Sequence, residues 1–269
     1  MRILKLISIA DIFTTINALL GLGSIMATMS GLTFFAINLI LLGVIIDGVD
    51  GVFARRFSKR WYLGDYLDLM SDTVTFCVAP SILMFKLYFD PAHMADLSEW
   101  TSHLLDLNQA PALIMVGCGA IVVTGVLRLA RFCYQAPFMG ENFIGIPTPS
   151  SALTLSLMIM LSERLKEVGS YEIPPAAIGA MSLILSYLMI CDIPYLKMKG
   201  KIEWLAGGLI MLAIVLNEMV EVVAMVFIAS LIYILGGPLA LKKRGRKDRK
   251  GREKKDKKRI THRRGKDRK

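Results

Sequence analysis

The stretch "DGVDGVFARRFSKRWYLGDYLDLMSD", Asp47 to Asp72, places five aspartates between two apolar runs, "LTFFAINLILLGVII" (32–46) and "TVTFCVAPSILMF" (73–85). A carboxylate near the centre of a bilayer costs about 2.5–3.5 kcal/mol on insertion scales, so each such group needs a partner or a task. Whether a bilayer is the right solvent is decided by the rest of the chain. Over 269 residues, 54% are hydrophobic and the mean hydropathy is +0.53, with several runs near bilayer length, well above the apolar content of an ordinary soluble domain. These values imply a polytopic, all-α transmembrane bundle.

Apolar segments fall at 11–29, 32–54, 64–88, 110–132, 149–162, 175–196, 203–217 and 221–241. They predict about eight helices; those near 149 and 203 are short for a bilayer of about 30 Å, so six or seven full spans plus a tilted or shallow one is the other reading. The N-terminal run passes straight into a spanning pattern, so no cleaved signal is expected. Cys77, Cys118, Cys133 and Cys191 lack paired ligand spacing. They are expected to be small buried hydrophobes, not zinc ligands or disulfides.

The charge is uneven. Residues 242–269 hold 18 Lys/Arg and 4 Asp/Glu, net +14, against +10 for the whole chain, so residues 1–241 carry net −4. The expected division is a transmembrane domain over 1–241 and a disordered polybasic cytoplasmic tail over 242–269. Attraction to an anionic leaflet, about 1 kcal/mol per basic residue near the surface, is favoured over a nucleic-acid role. Basic residues also recur in alternate connections, at Arg55, Arg56, Lys59 and Arg60, at Arg128 and Arg131, and at Lys197, Lys199 and Lys201. The positive-inside rule therefore expects an even number of spans with both termini cytoplasmic. The aspartates then lie at the cytoplasmic ends of the second and third helices, within reach of water-soluble substrates.

At 3.6 residues per turn, Asp47 and Asp50 share one helix face, and Asp65, Asp68 and Asp72 share another. The short connection from Arg55 to Gly64 makes the two helices antiparallel neighbours whose carboxylates can converge. Such a cluster repels itself unless divalent cations neutralise it. Oxygen ligands without His or Cys favour Mg²⁺, Mn²⁺ or Ca²⁺ over zinc, and a pair of ions about 4 Å apart suits phosphoryl-type displacement. Gly51 and Gly64 permit close approach of a ligand or a helix. A plain ion pair such as Asp47 with Arg55, and an ion or proton transporter using the acids as a relay, are the other readings.

The spacing Asp47-x-x-Asp50-Gly51-x-x-Ala54-Arg55, eight residues, then Gly64-x-x-x-Asp68-x-x-x-Asp72 resembles the signature of the CDP-alcohol phosphotransferase family. The resemblance implies a six-helix core with two further C-terminal helices here, a homodimer, and a divalent-metal site at the cytoplasmic membrane face. Its reaction moves a lipid phosphate from a CDP-linked lipid to an alcohol and releases CMP. It further implies that Asp47, Asp50, Asp68 and Asp72 hold two ions, Mg²⁺ or Mn²⁺. Gly51, Ala54, Arg55 and Gly64 would then line the CDP end, and Asp72 would be the base for the acceptor hydroxyl. Asp65 lies outside the signature.

"SDTVTFCVAPSILMF", "LRLARF" (127–132) and "FIGIPTPSSA" (143–152) resemble the phosphatidylserine synthase branch, including archaeal synthases that use CDP-archaeol. Within "ADIFTTINALLG", Thr14 and Asn17 match that branch's first-helix pattern, which implies a role at the CDP end. Ala10 and Asp11 replace its Pro-Asn, so Asp11 is given no nucleotide contact. The acceptor implied is L-serine, with glycerol phosphate and inositol phosphate as alternatives. Arg128 and Arg131, three apart on one helix face, are candidates for gripping the acceptor carboxylate through a bidentate fork, with Arg131 favoured, or are simple topogenic charges. The loop "GIPTPSS" is either a stiff edge beside the acceptor site or an ordinary helix start with Pro149 in its first turn.

Overall fold

Helix α1 (Ile9–Met29) is stopped by a glycine. At Gly31, φ is 77°, which lets the Gly31 and Leu32 amides donate to the carbonyls of Thr28 and Ala27 at 3.1 and 2.9 Å, the bond pair of a Schellman stop. The chain reverses into α2 (Thr33–Phe57), and these two helices pack extensively against each other. The computed structural model describes residues 9–57, 62–89, 111–135, 143–169, 171, 173–195 and 201–236. Within these, only the backbone is described at 9–10, 50–57, 62–63, 65, 134–135, 143–144, 194 and 201–203. The basic tail lies outside the described residues.

A continuous rod follows, made of α3 (Tyr62–Asp72), a π-helical segment (Thr73–Val78) and α4 (Ala79–Tyr88). The Ala79 amide donates to the Val74 carbonyl, a five-residue step. Pro80 next in line has no amide to give, and its ring crowds the carbonyl four residues back, which favours the wider turn. Beyond it come α5 (Pro111–Gln135), β1 (Phe143–Ile144), α6 (Thr148–Glu167), α7 (Pro175–Ile190), β2 (Pro194–Tyr195), α8 (Lys201–Val215) and α9 (Val220–Gly236). The described residues thus form eight helical rods, as the sequence implies, joined by one two-residue antiparallel ladder that pairs Phe143 with Tyr195.

Three stretches, Asp11–Met29, Tyr66–Tyr88 and Pro111–Cys133, are long and apolar enough to cross a membrane, and shorter apolar helices accompany them. Leu19, Met26, Phe35, Val123, Leu205 and Ile232 point outward, as side chains do where the surrounding solvent is lipid. Helix α6 is different. It buries Ser151, Thr154, Ser156 and Ser162 along with Leu155, Leu157, Ile159 and Met160, and so stands at the centre of the bundle, away from the outer surface. Its hydroxyls lower its hydropathy, which is why the sequence reading made it short and shallow. The structure corrects this: α6 has 20 residues, about 30 Å at 1.5 Å per residue, enough to span. Of the cysteines, Cys77 is buried, Cys118 and Cys191 are half-buried, and Cys133 is exposed, so the expectation of burial fails at Cys133.

Candidate active site

The site is assembled where α1 docks on the α3 rod. Asp72 sits at the junction of α3 and the π segment, flanked by two hydroxyls that fasten the rod to α1. Ser71 donates to the Thr14 carbonyl and Thr75 to the Asn17 carbonyl, each at 2.8 Å. Such cross-helix bonds are among the few specific attractions available between helices in lipid. Gly21 permits the approach: a Cβ there would lie 2.8 Å from Thr75 Cα, closer than real side chains come to backbone. The resulting contact sets the Asn17 amide nitrogen 3.4 Å from Asp72 Oδ1, and both residues are buried.

Asp47 from α2, with Asp68 and Asp72 from α3, each place one carboxylate oxygen so that all three lie within 4.8 Å of one another. Two unit charges at that distance repel by about 3–4 kcal/mol at an effective dielectric near 20. Asp47 is half-buried, Asp72 is buried, and Asp68 is the more open of the α3 pair. The donors are all oxygen and come from two helices that both pack on α1, a set that fits a hard divalent cation. The side chains of Asp50, Ala54, Arg55 and Asp65 lie outside the described residues, and at Gly51 the helical backbone alone is described. Gly64 faces α1: a Cβ there would stand 2.8 Å from Asp11 Oδ1, so the glycine makes room for a buried aspartate.

The two candidate arginines part company. Arg131 pairs with Asp192, which is exposed just beyond α7, and donates to the Ile190 carbonyl at 3.3 Å. Arg128 turns inward. It is 8% exposed, donates to the Thr148 hydroxyl at 3.1 Å, and leaves its buried Nε without a hydrogen-bond partner among the described residues. Its charge is felt by Asp72 and Asp47, so the carboxylates and one guanidinium share a common space.

Thr148 is held there by the loop before it. Gly145, at φ 75°, donates to the Ile193 carbonyl at 2.9 Å, and Ile146 donates to the Leu188 carbonyl at 3.0 Å. The "GIPTPSS" segment is therefore a helix start with Pro149 in the first turn of α6, and it also adjoins Arg128. Sequence reasoning passed over Ser71, Thr75 and Thr148. The only signal for the first two was their spacing around Asp72, one residue before and three after.

A family model described as CDP-alcohol phosphatidyltransferase matches residues 7–216. The chain is 30% identical over 201 residues to archaetidylserine synthase of Methanothermobacter thermautotrophicus, covering 74% of each protein. It is 32% identical over 198 residues to CDP-diacylglycerol--serine O-phosphatidyltransferase of Methanocaldococcus jannaschii, covering 74% of this chain and 78% of that one. A bacterial protein with the latter name, from Helicobacter pylori, is 26% identical over 196 residues, 72% of this chain and 73% of that protein.

Proposed function

Since the chain belongs to the CDP-alcohol phosphatidyltransferase family and is an integral membrane enzyme, we propose that it transfers the phosphatidyl or archaetidyl group of a CDP-activated lipid to the hydroxyl of L-serine. The observation that carries this reading is the convergence of Asp47, Asp68 and Asp72 beside the buried Arg128. Named relatives act on serine, and a buried guanidinium is what an amino-acid acceptor would need for its carboxylate.

In this reading Asp47, Asp50, Asp68 and Asp72 hold one or two Mg²⁺ or Mn²⁺ ions. Bound there, the metal would supply charge neutralisation and Lewis acidity to the diphosphate. Asp72 accepts the proton of the serine hydroxyl while the serine Oγ–P bond forms and the P–O bond to CMP breaks. Asn17 steadies the Asp72 carboxylate by its amide N–H. Gly51, Ala54 and Gly64 leave room for the nucleotide, with Thr14 near it, and Arg55 counters its phosphate charge. Arg128 takes the serine carboxylate. Arg131, already paired with Asp192, keeps at most an outer role.

The same reading places the site and both termini at the cytoplasmic face, on the charge of the loops. It also assigns the tail to the leaflet surface, and pairs two chains as the family resemblance implies. The lipid is CDP-diacylglycerol or CDP-archaeol. Glycerol phosphate and inositol phosphate would want a denser basic pocket than one inward arginine provides.

Purified protein given CDP-lipid should release CMP with L-serine and not with glycerol phosphate or inositol phosphate. Chelation should stop turnover, and Mg²⁺ or Mn²⁺ should restore it. CMP release with a phosphate-bearing acceptor instead would overturn the acceptor assignment, and ion flux in liposomes without any CMP would point to transport.

A further inference from the structure

Helix α9 lies wholly outside the residues that the family model matches, 7–216, yet it reaches the acceptor side of the site. It docks on α6 through polar groups one turn apart on each helix. The Thr154 hydroxyl donates to the Ser230 hydroxyl at 3.2 Å, and one turn away on each helix the Ser150 side chain adjoins the Tyr233 hydroxyl. Two such contacts in register fix both the rotation and the height of α9 against α6. Tyr233 therefore stands at the same end of the bundle as Arg128 and Thr148, and its ring lies 6.4 Å from that of Tyr195, which the β1–β2 ladder holds in place.

Three observations make this corner a binding place for an anion. Arg128 is more than nine-tenths buried, its one hydrogen bond among the described residues goes to Thr148, and its Nε–H is a buried donor without an acceptor. A buried charged donor left unmet is costly, so a ligand that meets it is favoured. The first turn of α6, with the Thr148 and Ser150 amides, adds the positive end of a 20-residue helix. Last, Tyr233 stands against the first turn of α6, beside Tyr195 and next to the turn whose Thr148 holds Arg128, so both donors address one region.

We propose that Tyr233 is an acceptor-binding residue: its hydroxyl, aimed by Ser150, joins the Arg128 Nε–H in holding the carboxylate of the acceptor amino acid. The proposal rests on serine being the acceptor, and adds that a helix beyond the family core completes the serine side. The carboxylate has two oxygens, one for each donor, and this fixes the amino acid by the end remote from its hydroxyl. An alcohol without a carboxylate, such as ethanolamine, would gain nothing from either group.

The test is steady-state kinetics of the full-length protein, following CMP release. Tyr233→Phe keeps the ring packed on Tyr195 and removes only the hydroxyl. The KM for L-serine should rise about tenfold, the loss expected for one hydrogen bond to a charged group, while the KM for CDP-lipid stays within about twofold. Ser150→Ala, which frees the Tyr233 hydroxyl without removing it, should raise the serine KM by a smaller factor. An unchanged serine KM in Tyr233→Phe would overturn the proposal. So would a parallel rise in both KM values, which marks damage to the bundle as a whole. Failure of the acceptor reading is separately visible, because the unmodified protein would then release no CMP with serine; that result would overturn both.

Discussion

The two ends of the bundle treat an arginine in different ways. At the end remote from the aspartates, Arg164 donates to Glu167 at 2.6 Å and to Asn217 at 2.7 Å, and its guanidinium carbon lies 3.6 Å from the centre of the Phe34 ring. Arg164 thus meets an anion, a polar group and an aromatic face, although its Nε, like that of Arg128, has no hydrogen-bond partner among the described residues. At the other end Arg128 has Thr148, and three carboxylates crowd nearby with no ion pair to Arg128 among the described contacts. The aspartate end gathers three carboxylates that a divalent cation would neutralise, and there Arg131 is paired with Asp192 while Arg128 meets a hydroxyl. The two arginines thus differ in whether a carboxylate is bonded to them.

The sharpest way to break this contrast is at Asp72. Asp72→Asn should lower CMP release about 10²–10⁴-fold, the usual range for a lost acid–base group, while CDP-lipid still binds; full activity would remove the base assignment. Next in size, Arg128→Lys keeps the charge and loses the planar fork, so the serine KM should rise about tenfold with the CDP-lipid KM nearly constant. An equal loss for both substrates would make Arg128 structural, like its counterpart. The smallest functional effect belongs to Arg164→Met. Thermal unfolding should show a loss of about 1–2 kcal/mol, from its hydrogen bonds and ring contact, with kcat and both KM values unchanged. A fall in kcat at intact stability would mean that the remote end communicates with the site.

How much of this was legible beforehand varied with the kind of signal. The eight rods were readable because apolar runs of near-bilayer length leave few alternatives, and the acids because a spacing of three or four residues puts carboxylates on one face. The path of α6 was not. Its serines and threonines read as a weak span, since hydropathy cannot distinguish a helix facing lipid from one sheltered by its neighbours. Arg128 and Arg131 were equivalent by spacing, and only Asp192, 61 residues further on, separates them by engaging one. The π segment after Asp72 had a partial warning in Pro80, but a proline alone does not say whether a helix kinks, ends or widens. The two-residue ladder left no trace in the sequence, since strands that short have no period.

The sequence by itself determined the solvent, the class of fold and the chemistry of the acidic stretch, because bilayer length and helical period are local properties that one chain segment expresses unaided. Tertiary structure alone decided which arginine turns inward, which hydroxyls lock α1 to the rod at Asp72, and that Tyr233 belongs to the same corner. Those outcomes depend on which surfaces of distant helices meet, and a meeting of surfaces is a property of the packed bundle.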